Sequence, residues 1–204
     1  MNYTVKEIFY SLQGEGAHAG RPAIFCRFSN CNLWTGQEAD RTDAICKFCD
    51  TDFVGGDGYS LKELVQAITS QWPGGGKPYV ICTGGEPLLQ VDAPLIDALH
   101  EAGFEVGVET NGTIGKSDLA LKLDWVCVSP KADARVKLSR GHELKLVYPQ
   151  EKNHPTDFEQ MNFEHFYLQP CDGVEGSMKM AIDYCMKNPH WSLSLQTHKI
   201  GGFE

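Results

Sequence analysis

Three thiols stand close together in a polar stretch of the chain. The order is Cys31-Asn32-Leu33-Trp34, a polar run, and then Cys46-Lys47-Phe48-Cys49-Asp50-Thr51. No fourth Cys or His lies between Asn30 and Thr51. A structural zinc site wants four protein ligands in a closed tetrahedron, so zinc here would need His18 or a distant Cys as the fourth. A thioredoxin-like redox pair fits less well, because Cys31 would be superfluous. A cubane iron–sulfur cluster held by three thiolates leaves one iron open to a small molecule, whereas a purely electron-carrying cluster normally has four. The rest of the chain has to decide among these readings.

Composition narrows the field. The chain has 204 residues and eight cysteines, long enough for one domain with a substantial core. Cys26, Cys82 and Cys127 sit inside apolar runs, where Cys behaves as a small hydrophobe. Cys31, Cys46 and Cys49 sit in a polar loop, where packing explains nothing. The net charge of −9 and the lack of any Lys/Arg run disfavour a nucleic-acid partner. No apolar run approaches the ~18 residues of a membrane span. The first residues, Met1 to Glu7, lack a basic-then-apolar signal pattern. A soluble cytoplasmic protein is expected, with metal binding or core packing rather than disulfides.

The elements around the thiols alternate. Ile8-Phe9-Tyr10 opens the chain, followed by the turn Gln13-Gly14-Glu15-Gly16. Ala23–Ser29 reads as a strand, and the cysteine loop then runs to Gly55-Gly56-Asp57-Gly58. Ser60-Leu61-Lys62-Glu63 is a capping box, and Leu61, Leu64, Val65 and Ile68 share one helical face. Tyr79–Thr83 is a strand. Asp92 caps the next helix, Pro94 fits its first turn and Gly103 stops it. Phe104–Glu109, Trp125–Ser129, Glu143–Tyr148 and Phe166–Gln169 are strands, Glu175–Lys187 a helix, and Trp191–Gln196 a last strand.

Such alternation predicts an α/β protein with parallel strands. Many strands end in polar residues: Arg27 and Ser29, Thr83, Glu109 to Asn111, Ser129, Gln169, Gln196 and His198. In the strand holding Arg27, Ile24, Cys26 and Phe28 face one way and Arg27 the other. Glu109 likewise lies opposite Phe104, Val106 and Val108. If the strands curl into a barrel, these ends converge on one mouth, where (β/α) barrels hold their active sites. The chain falls below the ~250 residues of a complete eight-fold barrel. The expectation is a partial (β/α) barrel with about six parallel core strands, as one domain over 1–204 with a cluster loop at 30–53.

Cys31, Cys46, Phe48 and Cys49 resemble the cluster motif of the radical S-adenosylmethionine superfamily, whose usual spacing is Cys-x3-Cys-x-aromatic-Cys. Gly84-Gly85-Glu86-Pro87 resembles its second motif, which contacts the methionine amino group. More narrowly, Ser11-Leu12-Gln13-Gly14-Glu15-Gly16, Cys49-Asp50-Thr51, Thr83-Gly84-Gly85-Glu86-Pro87, Glu109-Thr110-Asn111-Gly112, Ser129-Pro130-Lys131 and Leu195-Gln196-Thr197-His198-Lys199 resemble the 7-carboxy-7-deazaguanine synthase family of queuosine biosynthesis. The likeness covers nearly the whole chain. Two features depart from the pattern: 14 residues separate Cys31 from Cys46, as in some family members, and Ile200-Gly201-Gly202-Phe203-Glu204 lacks an aromatic-rich tail.

The resemblance implies a lyase that contracts the ring of 6-carboxy-5,6,7,8-tetrahydropterin to 7-carboxy-7-deazaguanine with loss of ammonia. It implies that Cys31, Cys46 and Cys49 hold a [4Fe–4S] cluster whose fourth iron chelates S-adenosylmethionine. Phe48, Cys49, Asp50, Gly85, Ser129, Pro130, Lys131 and the run Gln169-Pro170-Cys171-Asp172 would line that cofactor. Leu12, Gln13, Gly14, Arg27 and Thr83 would bind the pterin, Arg27 by the fit of a planar fork to the 6-carboxylate. Glu15, Glu109 and His198 are candidates for catalytic proton transfer or for the ring's donors. Thr51 would supply an oxygen to Mg²⁺, which prefers such ligands. A homodimer and a flavodoxin-type reductant are also implied. Two other readings stay open. A glycyl-radical activase shares both motifs but needs neither Arg27 nor the Gln13-Gly14-Glu15 turn, and a non-catalytic zinc module would carry no S-adenosylmethionine.

Overall fold

Ile24, Cys26 and Phe28 alternate with Ala23, Phe25 and Arg27 along one strand, and that alternation sets which side of the sheet becomes the core. The structure, a computed structural model, describes residues 2–203. Met1 and Glu204, the two ends of the expected domain, lie outside the described residues.

Among the described residues nine strands form one sheet. They are β1 (Asn2–Leu12), β2 (Pro22–Phe28), β3 (Asp57–Ser60), β4 (Tyr79–Gly84), β5 (Glu105–Thr110), β6 (Trp125–Val128), β7 (Arg140–Tyr148), β8 (Asn162–Pro170) and β9 (Ser192–Leu193). Their order is β3-β1-β2-β4-β5-β6-β7-β8-β9. From β2 onward every neighbouring pair is parallel, so six substantial strands and the short β9 make the expected parallel array. The sheet does not close on itself, as a partial barrel requires.

Helices α1 (Leu61–Gln71), α2 (Ala93–Glu101) and α4 (Ser177–Lys187) flank the sheet; α3 (Ser117–Ala120) and α5 (Thr197–Gly201) are short. The main core lies on one side of the sheet. Ile24, Cys26 and Phe28 of β2, Val106 and Val108 of β5, and Leu144 and Leu146 of β7 pack there with Leu64 and Ile68 of α1 and Leu95, Ile96 and Leu99 of α2. The opposite face carries a smaller apolar group, Ala23, Phe25, Tyr79 and Ile81 with Phe9 and Trp125 against them, and polar side chains beyond it.

Local signals are realised at the helix starts. The Ser60 Oγ accepts from the Glu63 N–H and the Glu63 carboxylate from the Ser60 N–H. Asp92 Oδ1 accepts from the Leu95 N–H at 3.1 Å and also from the Tyr3 hydroxyl at 2.8 Å. Gly103 follows α2 with φ at +87°, a left-handed turn that suits glycine.

Several boundaries differ from the sequence reading, among them the starts of β7 at Arg140 rather than Glu143 and of β8 at Asn162 rather than Phe166. Strand β1 runs over eleven residues rather than three, because a bulge between Val5 and Glu7 breaks its alternation. The Gly-rich stretch at Asp57 pairs antiparallel with β1 as strand β3 instead of staying loop. Gly176 has φ at +78°, so α4 starts at Ser177 and not at Glu175. Only Ser192 and Leu193 pair with β8; Gln196 is already the residue before α5.

Candidate active site

The C-terminal ends of the parallel strands open onto a cavity of about 400 Å³. All three loop cysteines line it, together with Arg27, Thr83, Glu109, Ser129 and Gln169 from strand ends and Gln196 and His198 from the C-terminal segment. Polar strand ends do meet at one mouth, as the side-chain alternation predicts.

The cluster loop is a folded unit. Trp34, Ala44 and Phe53 form a small buried core against Cys31 and Cys49. Leu33 C=O accepts from the N–H groups of Ile45 and Cys46 at 3.1 and 3.3 Å. Arg41 stacks on the Trp34 ring at 4.0 Å and donates from Nη1 to the carbonyls of Lys47 at 2.9 Å and Cys49 at 3.1 Å. It also grips Glu38 through two nitrogens. The 14-residue segment between Cys31 and Cys46 thus closes on itself and presents Cys46 and Cys49 to the cavity.

The thiols are electronically unequal. A hydrogen bond from Cys46 holds the Cys49 thiol down to about 6, while burial opposes. Giving that bond, and then burial, pushes Cys46 up. Burial raises Cys31 as well. Lys131 approaches the Phe48 ring at 5.8 Å, donates to Ser129 Oγ at 2.6 Å, and favours the thiolate form of both Cys46 and Cys49.

These residues fit a cluster better than a single ion. Among the described residues, no three His, Cys, Asp or Glu side chains are grouped to hold one metal ion. His18, the fourth zinc ligand considered above, instead stacks on Trp125 at 4.0 Å, with Nδ1 3.4 Å from the Tyr79 hydroxyl. Three thiols around a shared chamber match a cluster that binds each sulfur to a different iron. A β-carbon on Gly85 would strike the Asn30 carbonyl oxygen and crowd Cys31, so glycine is what lets these two loops meet.

Glu86 braces that meeting. It is fully buried and accepts from Leu88 N–H at 2.9 Å, Thr110 Oγ at 2.7 Å and Asn111 N–H at 2.8 Å. Burial raises its carboxyl, against those three donors. Asn111 then donates to Asn32 Oδ1 at 3.0 Å, beside Cys31. A chain of contacts therefore runs from the β4 loop through β5 to the cluster loop.

Most of the sequence-derived cofactor residues border the cavity: Phe48, Cys49, Asp50, Gly85, Ser129, Lys131, Gln169, Pro170 and Asp172. Pro130 and Cys171 are buried behind its wall; the Pro130 carbonyl accepts from Gln150 at 3.2 Å and the Cys171 thiol donates to the Asp172 carbonyl. Thr51 borders the cavity beside Cys49, whose thiol donates to the Thr51 carbonyl at 3.9 Å. Leu12, Gln13, Gly14, Arg27 and Thr83 line it, as do Glu15, Glu109 and His198. Arg27 Nε donates to Glu7 at 2.6 Å, which orients its fork.

Two site residues escape the sequence reading. Lys145 faces the cavity, and Lys199 bridges Asp50 at 2.8 Å and Asp172 at 2.7 Å. Lys145 had a sequence signal: a Lys between Leu144 and Leu146 in an apolar strand can only face the other side. Among the described residues, no buried side-chain polar atom lacks a partner.

A strand-end site with three cluster-type cysteines and a glycine cradle defines a radical S-adenosylmethionine fold. The Radical SAM superfamily model matches residues 41–135. The chain is 60% identical to the 7-carboxy-7-deazaguanine synthase of Bradyrhizobium diazoefficiens, over 98% of both chains. It is 54% identical to that of Caulobacter vibrioides, over 99% of both. The crystal structure of QueE from Escherichia coli superposes with a TM-score of 0.67 at 25% identity, covering 96% of this chain and 94% of that one. This chain belongs to the 7-carboxy-7-deazaguanine synthase family.

Proposed function

We propose that residues 1–204 act as one catalytic unit that converts 6-carboxy-5,6,7,8-tetrahydropterin to 7-carboxy-7-deazaguanine with release of ammonia. The observation that carries this reading is that two sets of contacts line one cavity. In one, Gly85 lies against Cys31 and Cys46 bonds to Cys49, with Phe48 between them in sequence. In the other, Gln13 and Thr83 donate to Glu109, Lys145 joins Glu109 to Glu15, and Arg27 pairs with Thr83 across the sheet. The first set suits a cluster with S-adenosylmethionine, and the second a flat ring that carries a carboxylate and several N–H donors.

Cys31, Cys46 and Cys49 would hold the cluster. When bound, it supplies the electron that breaks a carbon–sulfur bond of S-adenosylmethionine and so makes hydrogen abstraction possible. The chain's own residues bind, orient and shield. Arg27, fixed by Glu7, offers a planar fork to the substrate carboxylate. Gln13 and Thr83 donate to Glu109 at 2.8 and 3.1 Å, which fixes that carboxylate's direction. Asp50 and Asp172, joined through Lys199, suit hydroxyls of a nucleoside. Thr51, at the cavity edge beside Cys49, is the oxygen donor for Mg²⁺ in this reading. A homodimer, a flavodoxin-type reductant and a cytoplasmic setting complete it; among the described residues no helix is long and apolar enough to cross a membrane.

The test is direct. Anaerobically reconstituted, reduced protein is incubated with S-adenosylmethionine and the carboxy-tetrahydropterin, and the deazaguanine product is followed by mass spectrometry. Formation of the product with ammonia supports the reading. A brown, reducible protein that leaves the pterin unchanged would sink it.

A further inference from the structure

The floor of the proposed substrate region holds one cation among three carboxyl groups. Lys145, on β7, is 5% exposed. Its Nζ lies 2.5 Å from Glu15 Oε2 and 3.7 Å from Glu109 Oε1. Glu143 sits two residues away on the same face of β7, accepts from the Ala17 N–H at 3.0 Å, and takes the Cys127 thiol at 3.5 Å.

Acceptor capacity makes the arrangement informative. A carboxylate offers about four acceptor positions. Glu15 Oε1 takes Gln169 at 3.0 Å and Gln196 at 2.9 Å, and Oε2 takes Lys145. Glu109 Oε1 takes Gln13 and faces Lys145, while Oε2 takes Thr83. Each carboxylate therefore keeps about one position for a ligand. Two carboxylates brought this close in a buried floor repel unless a cation stands between them. Burial alone would favour the protonated form of Glu15; the Lys145 ammonium, with the hydrogen bonds from Lys145 and Gln196, outweighs it and holds the carboxyl down to about 2. Burial works against the Lys145 charge too, and Glu15, Glu109, Cys127 and Glu143 together overcome it. Burial leaves Glu143 raised.

We propose that Lys145 is the positioning residue of the substrate floor: its ammonium fixes Glu15 and Glu109 as a convergent pair of acceptors for adjacent N–H donors of a nitrogen heterocycle. This rests on the functional reading above and deepens it. Lys145 hydrogen-bonds Glu15 and lies at ion-pair distance from Glu109, and it acts through these two carboxylates. The groups that face Glu15 and Lys145 are Glu109 of β5, Cys127 of β6, Glu143 of β7 and His198 of α5, and none of the others supplies a buried cation.

The experiment compares wild-type holoenzyme with K145M and K145R. Steady-state kinetics on the carboxy-tetrahydropterin are taken across pH, and S-adenosylmethionine affinity is measured by equilibrium binding as a control. K145M is expected to raise the KM for the pterin at least tenfold at neutral pH. Its acid limb of kcat/KM should move to higher pH, because Glu15 loses the charge that holds it down. K145R keeps a cation and should keep the wild-type limb. A K145M enzyme with lower kcat but an unmoved limb and unchanged KM would overturn the proposal and make Lys145 merely structural. If K145M does not fold, K145Q, which keeps a donor but no charge, takes its place: its acid limb must move to higher pH and its pterin KM must rise at least tenfold, or the proposal fails. Absence of turnover by the wild type would instead overturn the functional reading, and this inference with it.

Discussion

The imidazole of His198 fills the space beside Gly14 that any larger residue would need. An ideal β-carbon on Gly14 would fall inside the ring's Nδ1 and Cγ. The Gly14 carbonyl meanwhile accepts from both the N–H and the hydroxyl of Thr197, each at 2.9 Å. The turn after β1 and the start of α5 are thus a single joint, although 183 positions separate Gly14 from Thr197.

Gly14→Ala should force that joint apart. Overpacking of this kind costs about 1–3 kcal/mol. Thermal unfolding should shift down accordingly, and limited proteolysis should cut within Thr197–Gly201 faster than in the wild type. Wild-type cleavage kinetics would contradict the joint.

Acid stability follows from Glu15. Its folded value, about 2, lies below the ordinary 4.5. A depressed carboxyl contributes stability that is full above the unfolded value and lost as pH falls through the folded one. Wild-type protein should therefore lose stability progressively between about pH 4.5 and 2, on the linkage just stated. E15Q should be less stable at neutral pH but show a flatter slope over that window, in melting temperature against pH. Parallel slopes would mean the carboxylate is not held by Lys145.

Glu86→Gln turns one acceptor oxygen into an amide that faces a donor. The Asn111 N–H would lose its partner, at a cost of about 1–3 kcal/mol. Because Asn111 also holds Asn32 beside Cys31, cluster retention should fall with stability. Denaturant unfolding and iron content after gel filtration measure the two. Retained iron at reduced stability would separate Glu86 from the cluster loop.

Arg41→Met removes the two hydrogen bonds to the Lys47 and Cys49 carbonyls while keeping an apolar stem over Trp34. Iron release to a chelator, followed by loss of visible absorbance, should accelerate several-fold. Lys in place of Arg41 should rescue little, because a point charge cannot serve Glu38 and two carbonyls at once.

Much of this was legible in the residues. The alternation around Arg27 and Glu109 correctly put both on the side away from the core, and the capping box at Ser60 marked α1. The cysteines and the Gly84-Gly85-Glu86-Pro87 turn marked the cavity. What escaped depended on contacts between distant segments. The bulge in β1 interrupts the period that would have revealed an eleven-residue strand. Strand β3 exists because β1 supplies its hydrogen bonds, which Gly56 and Gly58 do not announce. Lys145 carried an inward signal, but the carboxylates it meets come from β5 and from the turn after β1. The fold of the cluster loop rests on Trp34, Arg41 and Phe53, whose meeting no periodicity encodes.

That loop also has a consequence for the unusual spacing of the thiols. Its small apolar core and the Arg41 contacts to Trp34 and to the carbonyls of Lys47 and Cys49 tie the segment bearing Cys46 and Cys49 back to the residues just after Cys31. The long separation along the chain therefore acts as a brace between the first and second thiols rather than as slack.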